Sequence, residues 1–259
     1  MALNFQAGCT GCKADGLDFP FTMAFQPIVD LQQRRIDAYE ALVRGPDGES
    51  AAYILSKVTG DNVYAFDQAC RVKAIEMAAR LGIDRTLNIN FLPNAVYRPE
   101  SCLRQTMLAA TRTGFPLDRL TFEIVEHENT VAIEHLGQII TSYRDHGFKV
   151  ALDDFGTGFS GLHRLAELLP DIVKLDRALI KDCDKVPARL AIIASMIRLC
   201  RDLDIKIVLE GVESWAEAAA LRRIGGRFMQ GFVFGRPAFE AIAPDAAIAW
   251  PEVLETDAA

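Results

Sequence analysis

Ala151-Leu152-Asp153-Asp154-Phe155-Gly156-Thr157-Gly158-Phe159-Ser160 closes a short apolar run with two adjacent acids and passes into a glycine-punctuated loop. Neighbouring side chains on an ideal strand face opposite ways, so both acids serve one place only where the strand is ending and turning. Gly156 and Gly158 permit that turn. The loop lacks the Lys-Ser/Thr ending of a P-loop, so its information lies in the acid pair. Working outward, the chain holds eight apolar runs of strand length: Met23–Val29, Ala38–Val43, Leu87–Leu92, Leu120–Val125, Val150–Asp153, Ile172–Leu175, Ile205–Leu209 and Phe228–Phe234. Segments with helical spacing separate most of them, among them Phe66–Arg80, Thr130–His146, Leu190–Asp202 and Trp215–Ile224. Such alternation predicts an α/β fold with crossover helices, and eight units predict closure into a single TIM-like (β/α)8 barrel. The short Arg34-Arg35 connection suits a hairpin better than a crossover, so the first strand is expected to run antiparallel.

The 259-residue length suits one barrel domain, and 50% hydrophobic with 24% charged residues is the composition of a chain with a sizeable core. A net charge of −7 argues against binding polymeric nucleic acid, whose backbone attracts Lys and Arg. A small anionic ligand would need local cations. No uninterrupted run of about 18 apolar residues occurs, and no signal segment opens the chain, so a cytoplasmic protein without membrane contact is expected. Residues 1–20 read as an irregular leader and 21–259 as the folded domain, with an Ala-rich tail after Ala238 able to add a helix interrupted by Pro244 and Pro251. Cys9 and Cys12 form a close pair, but no second such pair or His pair accompanies them to complete a zinc site, and thioredoxin-like flanking elements are missing. Reduced thiols are expected throughout.

A barrel gathers the C-terminal ends of its strands on one face. In or beside those ends stand Glu40, Asn90, Glu123, Asp153, Asp154, Lys174, Glu210 and Gln230. A single such acid is readily explained by a neighbouring Arg or Lys. Five carboxylates on one mouth repel one another and stay ionised only against compensating cations. Oxygen donors with an Asn carbonyl favour Mg²⁺ or Mn²⁺ over Zn²⁺. His127, His135, His146 and His163 lie elsewhere in the chain.

From about Phe21 to Pro237 the sequence resembles the EAL family of cyclic di-GMP phosphodiesterases. The resemblance is carried in order by Phe25-Gln26-Pro27-Ile28-Val29, Glu40-Ala41-Leu42-Val43-Arg44, Asn88-Ile89-Asn90-Phe91, Glu123-Ile124-Val125-Glu126, the Asp153 segment, Val173-Lys174-Leu175-Asp176, Glu210-Gly211-Val212-Glu213 and Gln230-Gly231-Phe232. It implies two divalent cations, Mg²⁺ or Mn²⁺, with Ca²⁺ inhibiting. One would be held by Glu40, Asn90, Glu123 and Asp153, the other by Asp153, Asp154 and Glu210, with Asp153 bridging. It further implies Lys174, Glu210 and Gln230 as catalytic residues, Gln26 and Arg44 as contacts to substrate, and Glu126 as a tether for the glycine-containing loop; Glu213 is read as structural support.

The implied reaction opens cyclic di-GMP to linear pGpG. The implied assembly is a homodimer, and no regulatory partner is legible. A catalytically silent cyclic di-GMP receptor acting through a protein partner is the alternative. The sequence departs from the family pattern in having Val125 for the usual Thr, Leu92 for a small hydroxyl residue and Gly45 for a bulky one.

Overall fold

A computed structural model describes residues 17–93, 99–125, 132–158 and 161–251. The expected strands form: β1 (Thr22–Asp30), β2 (Arg35–Arg44), β3 (Thr86–Asn90), β4 (Leu120–Val125), β5 (Lys149–Phe155), β6 (Ile172–Leu175), β7 (Lys206–Leu209) and β8 (Phe228–Gln230). Strands β2 to β8 pair in parallel in chain order, and β1 closes the barrel antiparallel between β8 and β2. The hairpin between β1 and β2 is set by Asp30, whose Oδ1 accepts from the Gln32 and Gln33 amides at 2.9 and 3.2 Å. The fold is thus the expected barrel, with the expected reversal of its first strand.

Helices α1 (Ala51–Leu55), α2 (Val63–Arg80), α3 (Pro99–Thr113), α4 (Ile133–Asp145), α5 (Gly161–Leu168), α6 (Arg177–Ile180), α7 (Pro187–Asp202) and α8 (Trp215–Arg223) connect the strands. Local chemistry marks their starts. Pro187 opens α7, where a missing amide costs nothing. Ser214 and Glu217 form a reciprocal capping box on α8. Among the described residues no helix is long and apolar enough to cross a membrane.

The tail departs from the expected helix. Ala238–Phe239 forms β9, which pairs with Ala24 and Phe25 of β1. The three residues of β8 reach only Ile28 to Asp30, leaving that edge of β1 open for the tail. Beyond it, among the described residues, a single 3₁₀ turn, Asp245–Ala247, follows after Pro244. Ahead of β1, Leu17 and Phe19 pack on the core, with the Phe19 and Phe66 rings 6.1 Å apart.

The larger core lies between the sheet and the helices, while Ile28, Ala38, Ala151, Ile172 and Val208 form a separate small cluster against Phe228. Strand residues two apart share a face. Each member therefore faces as its polar neighbour two positions along does: Gln26, Glu40, Asp153, Lys174, Glu210 and Gln230. An apolar plug inside the barrel thus underlies a polar layer, and the register alone places that layer at the C-terminal mouth.

Candidate metal centre and cleft

Lys174 sits at the middle of the polar layer. Its Nζ lies 2.8 Å from Glu123 Oε1, 2.8 Å from Glu210 Oε1, 3.2 Å from Asp153 Oδ1 and 3.3 Å from Glu40 Oε2. Both Lys174 and Glu123 are fully buried. The compensation expected from metal is therefore supplied in part by the chain itself. One ammonium against four carboxylates still leaves an anionic cluster.

The consequences appear in the acid strengths. Burial pushes Glu123 well above the usual carboxylate range, and nearby Glu40 and Asp153 add to this against the pull of Lys174. Burial likewise drives Glu210 upward, Lys174 opposing and Asp153, Glu40 and Glu123 reinforcing. Glu40 is also penalised by burial, but Lys174 and hydrogen bonds from Gln230 and Asn90 outweigh this and hold it below its ordinary value. Burial disfavours the Lys174 ammonium, yet its four acids raise it well above an ordinary lysine.

Side-chain amides orient the acids. Gln230 Nε2 donates to Glu40 Oε2 at 2.7 Å and to Gln26 Oε1 at 3.2 Å, and Gln26 Nε2 donates to Gly235 O at 3.1 Å. Asn90 Nδ2 donates to Glu40 Oε1 at 3.1 Å, and Asn88 Nδ2 to Glu123 Oε1 at 2.7 Å. Asn88 was not among the expected site residues. Its signal was present, since it stands two positions before Asn90 in an otherwise apolar strand.

Two groups of carboxylate oxygens lie within 4.8 Å of one another: Glu40, Glu123 and Asp153, and then Asp153, Asp154 and Glu210. Asp154 enters the second group by taking a left-handed backbone, φ 53°, at the point where β5 turns away. The buried Glu123 Oε2 has no hydrogen-bond partner. An all-oxygen donor set with an unsatisfied buried carboxylate oxygen fits a hard divalent cation.

An open cleft of about 280 Å³ lies over this layer, lined by Gln26, Glu40, Asp153, Asp154, Lys174, Glu210 and Gln230, with Arg177, Glu213 and Phe232 at its side. Arg177 forms a two-point pair with Glu213 at 3.0 and 2.7 Å. That gives the expected supporting Glu213 a partner that sequence reasoning missed. Phe232 is exposed, with the Arg236 guanidinium 4.2 Å from its ring centre.

Gly211, at φ 67°, is required because a Cβ there would stand 2.4 Å from Arg177 Cβ. Gly231 packs backbone to backbone on Val212, whose amide donates to Gln230 O at 3.0 Å. These two glycines fix the ends of the strands carrying Glu210 and Gln230.

Arg44 ends β2 outside the ring of cleft-lining residues, its Nη1 donating to Val43 O at 2.7 Å. A side chain at 45 would begin 2.1 Å from Glu49 Oε2, so Gly45 lets Glu49 fold back over the turn. Glu126, Cys9 and Cys12 lie outside the described residues.

Fold and mouth together define an α/β barrel protein with an acidic centre that could hold a divalent cation. The chain belongs to the EAL domain family, whose sequence model matches residues 19–237. It is 48% identical to a standalone versatile EAL protein from Vibrio cholerae O395 solved in a c-di-GMP-bound form, with a TM-score of 0.86 over 88% of this chain and 97% of that one. It is 33% identical to Klebsiella pneumoniae BlrP1 in a manganese and cyclic di-GMP complex, with a TM-score of 0.82 over 87% and 58% of the two chains. Among Escherichia coli K12 proteins it is 30% identical to the blue light- and temperature-regulated antirepressor BluF over 88% of this chain and 56% of that protein. It is 31% identical to the probable cyclic di-GMP phosphodiesterase PdeG over 82% and 44%. The chain thus spans about half the length of these two relatives.

Proposed function

We propose that the protein is a metal-dependent phosphodiesterase that opens cyclic di-GMP to linear pGpG. The observation carrying this reading is the pair of carboxylate groups sharing Asp153 beneath an open cleft. Glu40, Asn90, Glu123 and Asp153 would hold one cation, and Asp153, Asp154 and Glu210 a second. Bound Mg²⁺ or Mn²⁺ supplies a polarised water and neutralises charge on the phosphate.

The residues divide the remaining work. Glu210, at the cleft edge of the acidic layer, accepts the proton of the attacking water. Lys174, immobilised by four acids, donates to that water and to charge developing on the phosphate. Gln230 and Gln26 form a relay of side-chain amides that positions solvent or phosphate on the cleft floor. Gln26 contacts the nucleotide, and Arg44 would join it by swinging its guanidinium from Val43 O toward the cleft. Ca²⁺ would inhibit, since it prefers longer bonds and more oxygen ligands than these residues would offer Mg²⁺ or Mn²⁺. The reading takes 21–259 as one catalytic domain, cytoplasmic and homodimeric, with no membrane or polymeric nucleic acid as partner.

The likeness to BluF, an antirepressor, favours a second reading as a silent cyclic di-GMP receptor acting through a protein partner. Turnover by the purified chain with Mg²⁺, Mn²⁺ or Ca²⁺, with pGpG separated by chromatography and Glu40→Ala as control, separates the two. Metal-dependent pGpG lost in the variant is the expected result. Tight binding without turnover moves the protein to the receptor reading.

A further inference from the structure

A buried ion pair stands behind the centre, on the helix side of the sheet. Asp67 and Arg71, four residues apart on α2, are 3% and 0% exposed and pair directly through Asp67 Oδ2. The other carboxylate oxygen, Oδ1, accepts from the Leu92 amide at 3.0 Å. β3 ends at Asn90, so the sheet offers no ladder partner there, and Asp67 supplies one. Arg71 in turn donates to Tyr143 Oη at 3.4 Å and lies 6.0 Å from the centre of the Phe122 ring.

Those aromatic contacts lead back to the centre from the other side of the strands. Phe91 and Phe122 pack edge to face with centroids 6.1 Å apart, and Phe91 lies 5.3 Å from Tyr143. The next residues along each strand, Asn90 before Phe91 and Glu123 after Phe122, face the barrel interior and are register partners. The Phe91 amide donates to Glu123 O at 3.1 Å, tying the two strand ends together.

A buried ion pair is on average a poor source of stability. Its cost is explained here by reach: only a buried carboxylate contacts the Leu92 amide, and only a buried cation neutralises that carboxylate. We infer that Asp67 and Arg71 are positioning residues for the first cation site: they clamp the backbone just past Asn90 and so hold its side chain in place for the metal. The inference rests on the reading of Asn90 as a metal ligand.

The test is Mn²⁺ titration of the full chain, counting free ion by electron paramagnetic resonance, alongside thermal unfolding. Wild type should bind two equivalents. Asp67→Ala combined with Arg71→Met removes the clamp without stranding a charge. Asp67→Glu keeps the ion pair but displaces the acceptor, and serves if the first variant does not fold. Both should weaken one equivalent by about 10-fold or more, the usual loss on removing a group that orients a ligand, and leave the other near its original affinity. Asp67→Asn combined with Arg71→Met keeps Oδ1 for the Leu92 amide without stranding the guanidinium, and should remain within about threefold of wild type, on the same scale. Folded Asp67→Glu protein binding both equivalents as wild type does overturns the positioning role alone. Equal weakening of both equivalents also overturns it, in favour of general loosening. Absence of Mn²⁺ binding by wild type overturns the metal reading and this inference with it.

Discussion

Lys174 Nζ stands 2.8 Å from Glu123 Oε1, an ammonium and a carboxylate paired out of contact with solvent. The lysine shares that charge with three further acids, so it acts as an internal counter-ion for the whole mouth. Lys174→Met should therefore cost about 3 kcal/mol or more in the presence of a chelator at neutral pH, the usual penalty for stranding buried charge. Added Mg²⁺ should raise the unfolding temperature of the variant more than that of wild type, since the cation then meets acids with no competing ammonium. Calorimetry with and without chelator reads both effects. An equal metal-induced shift in the two proteins would show that Lys174 does not neutralise the cluster. Turnover should be lost whichever way stability moves.

The raised pKa values of Glu123 and Glu210 set a pH dependence with a definite sign. Both are held above their unfolded values chiefly by burial. Such groups add stability that is full below the ordinary carboxylate range and is lost as pH rises through their elevated folded values. Glu40 is held low and acts oppositely, its contribution fading as pH falls. The share of stability owed to Glu123 and Glu210 in the metal-free protein should therefore fall as pH climbs from the ordinary carboxylate range, against opposite contributions from Glu40, Asp30, Asp182 and Glu213. Metal requires the deprotonated acids, so the stabilisation by Mg²⁺ should grow over the same interval and binding should release protons. In chelator Glu210→Gln should make that fall shallower; a pH dependence unchanged by the substitution would contradict the raised value of Glu210.

Gly211 links the base to the rim of the cleft. Its positive φ and the 2.4 Å approach to Arg177 Cβ mean that Gly211→Ala must move either the Glu210 strand end or the Arg177–Glu213 pair. Gly48, at φ 89° with nothing near its missing Cβ, is the natural control. Both substitutions should carry the left-handed backbone penalty of about 1 to 2 kcal/mol. Only Gly211→Ala should also lower turnover, because only it disturbs the mouth. Equal turnover in the two variants would separate the Arg177 contact from catalysis.

Interactions local in sequence are written plainly in this chain, and those that span the fold are not. Strands such as Leu120–Val125 and Ile172–Leu175 were legible because burial on both faces writes a continuous apolar run. Glu40, Asn90, Glu123 and Asp153 were legible as interruptions of those runs, and the structure brings their strands to one mouth. For the Ala-rich tail the sequence offered a helix interrupted at Pro244 and Pro251, whereas Ala238–Phe239 pairs with an edge of β1 more than 200 residues away in sequence. Arg177 and Asp67 were invisible for a related reason. Each is an ordinary charged residue on a helix until the partner across the fold, Glu213 or the Leu92 amide, is known.

Asn88 offers the sharpest separation between orientation and charge. Its amide donates to Glu123 Oε1 at 2.7 Å, and both residues are essentially without solvent contact. Asn88→Leu keeps the heavy-atom count and branching, removes the donor and leaves Glu123 with only Lys174 to hold it. A hydrogen bond to a charged group contributes about 1.5 to 3 kcal/mol, so chelator-treated protein should lose that much at neutral pH, with an unchanged denaturant slope. The loss should shrink at acid pH, where Glu123 is protonated and asks less of a donor. A cost that stays constant with pH would place the effect of Asn88 in packing, and Glu123 would then owe its position to Lys174 and the backbone of β4.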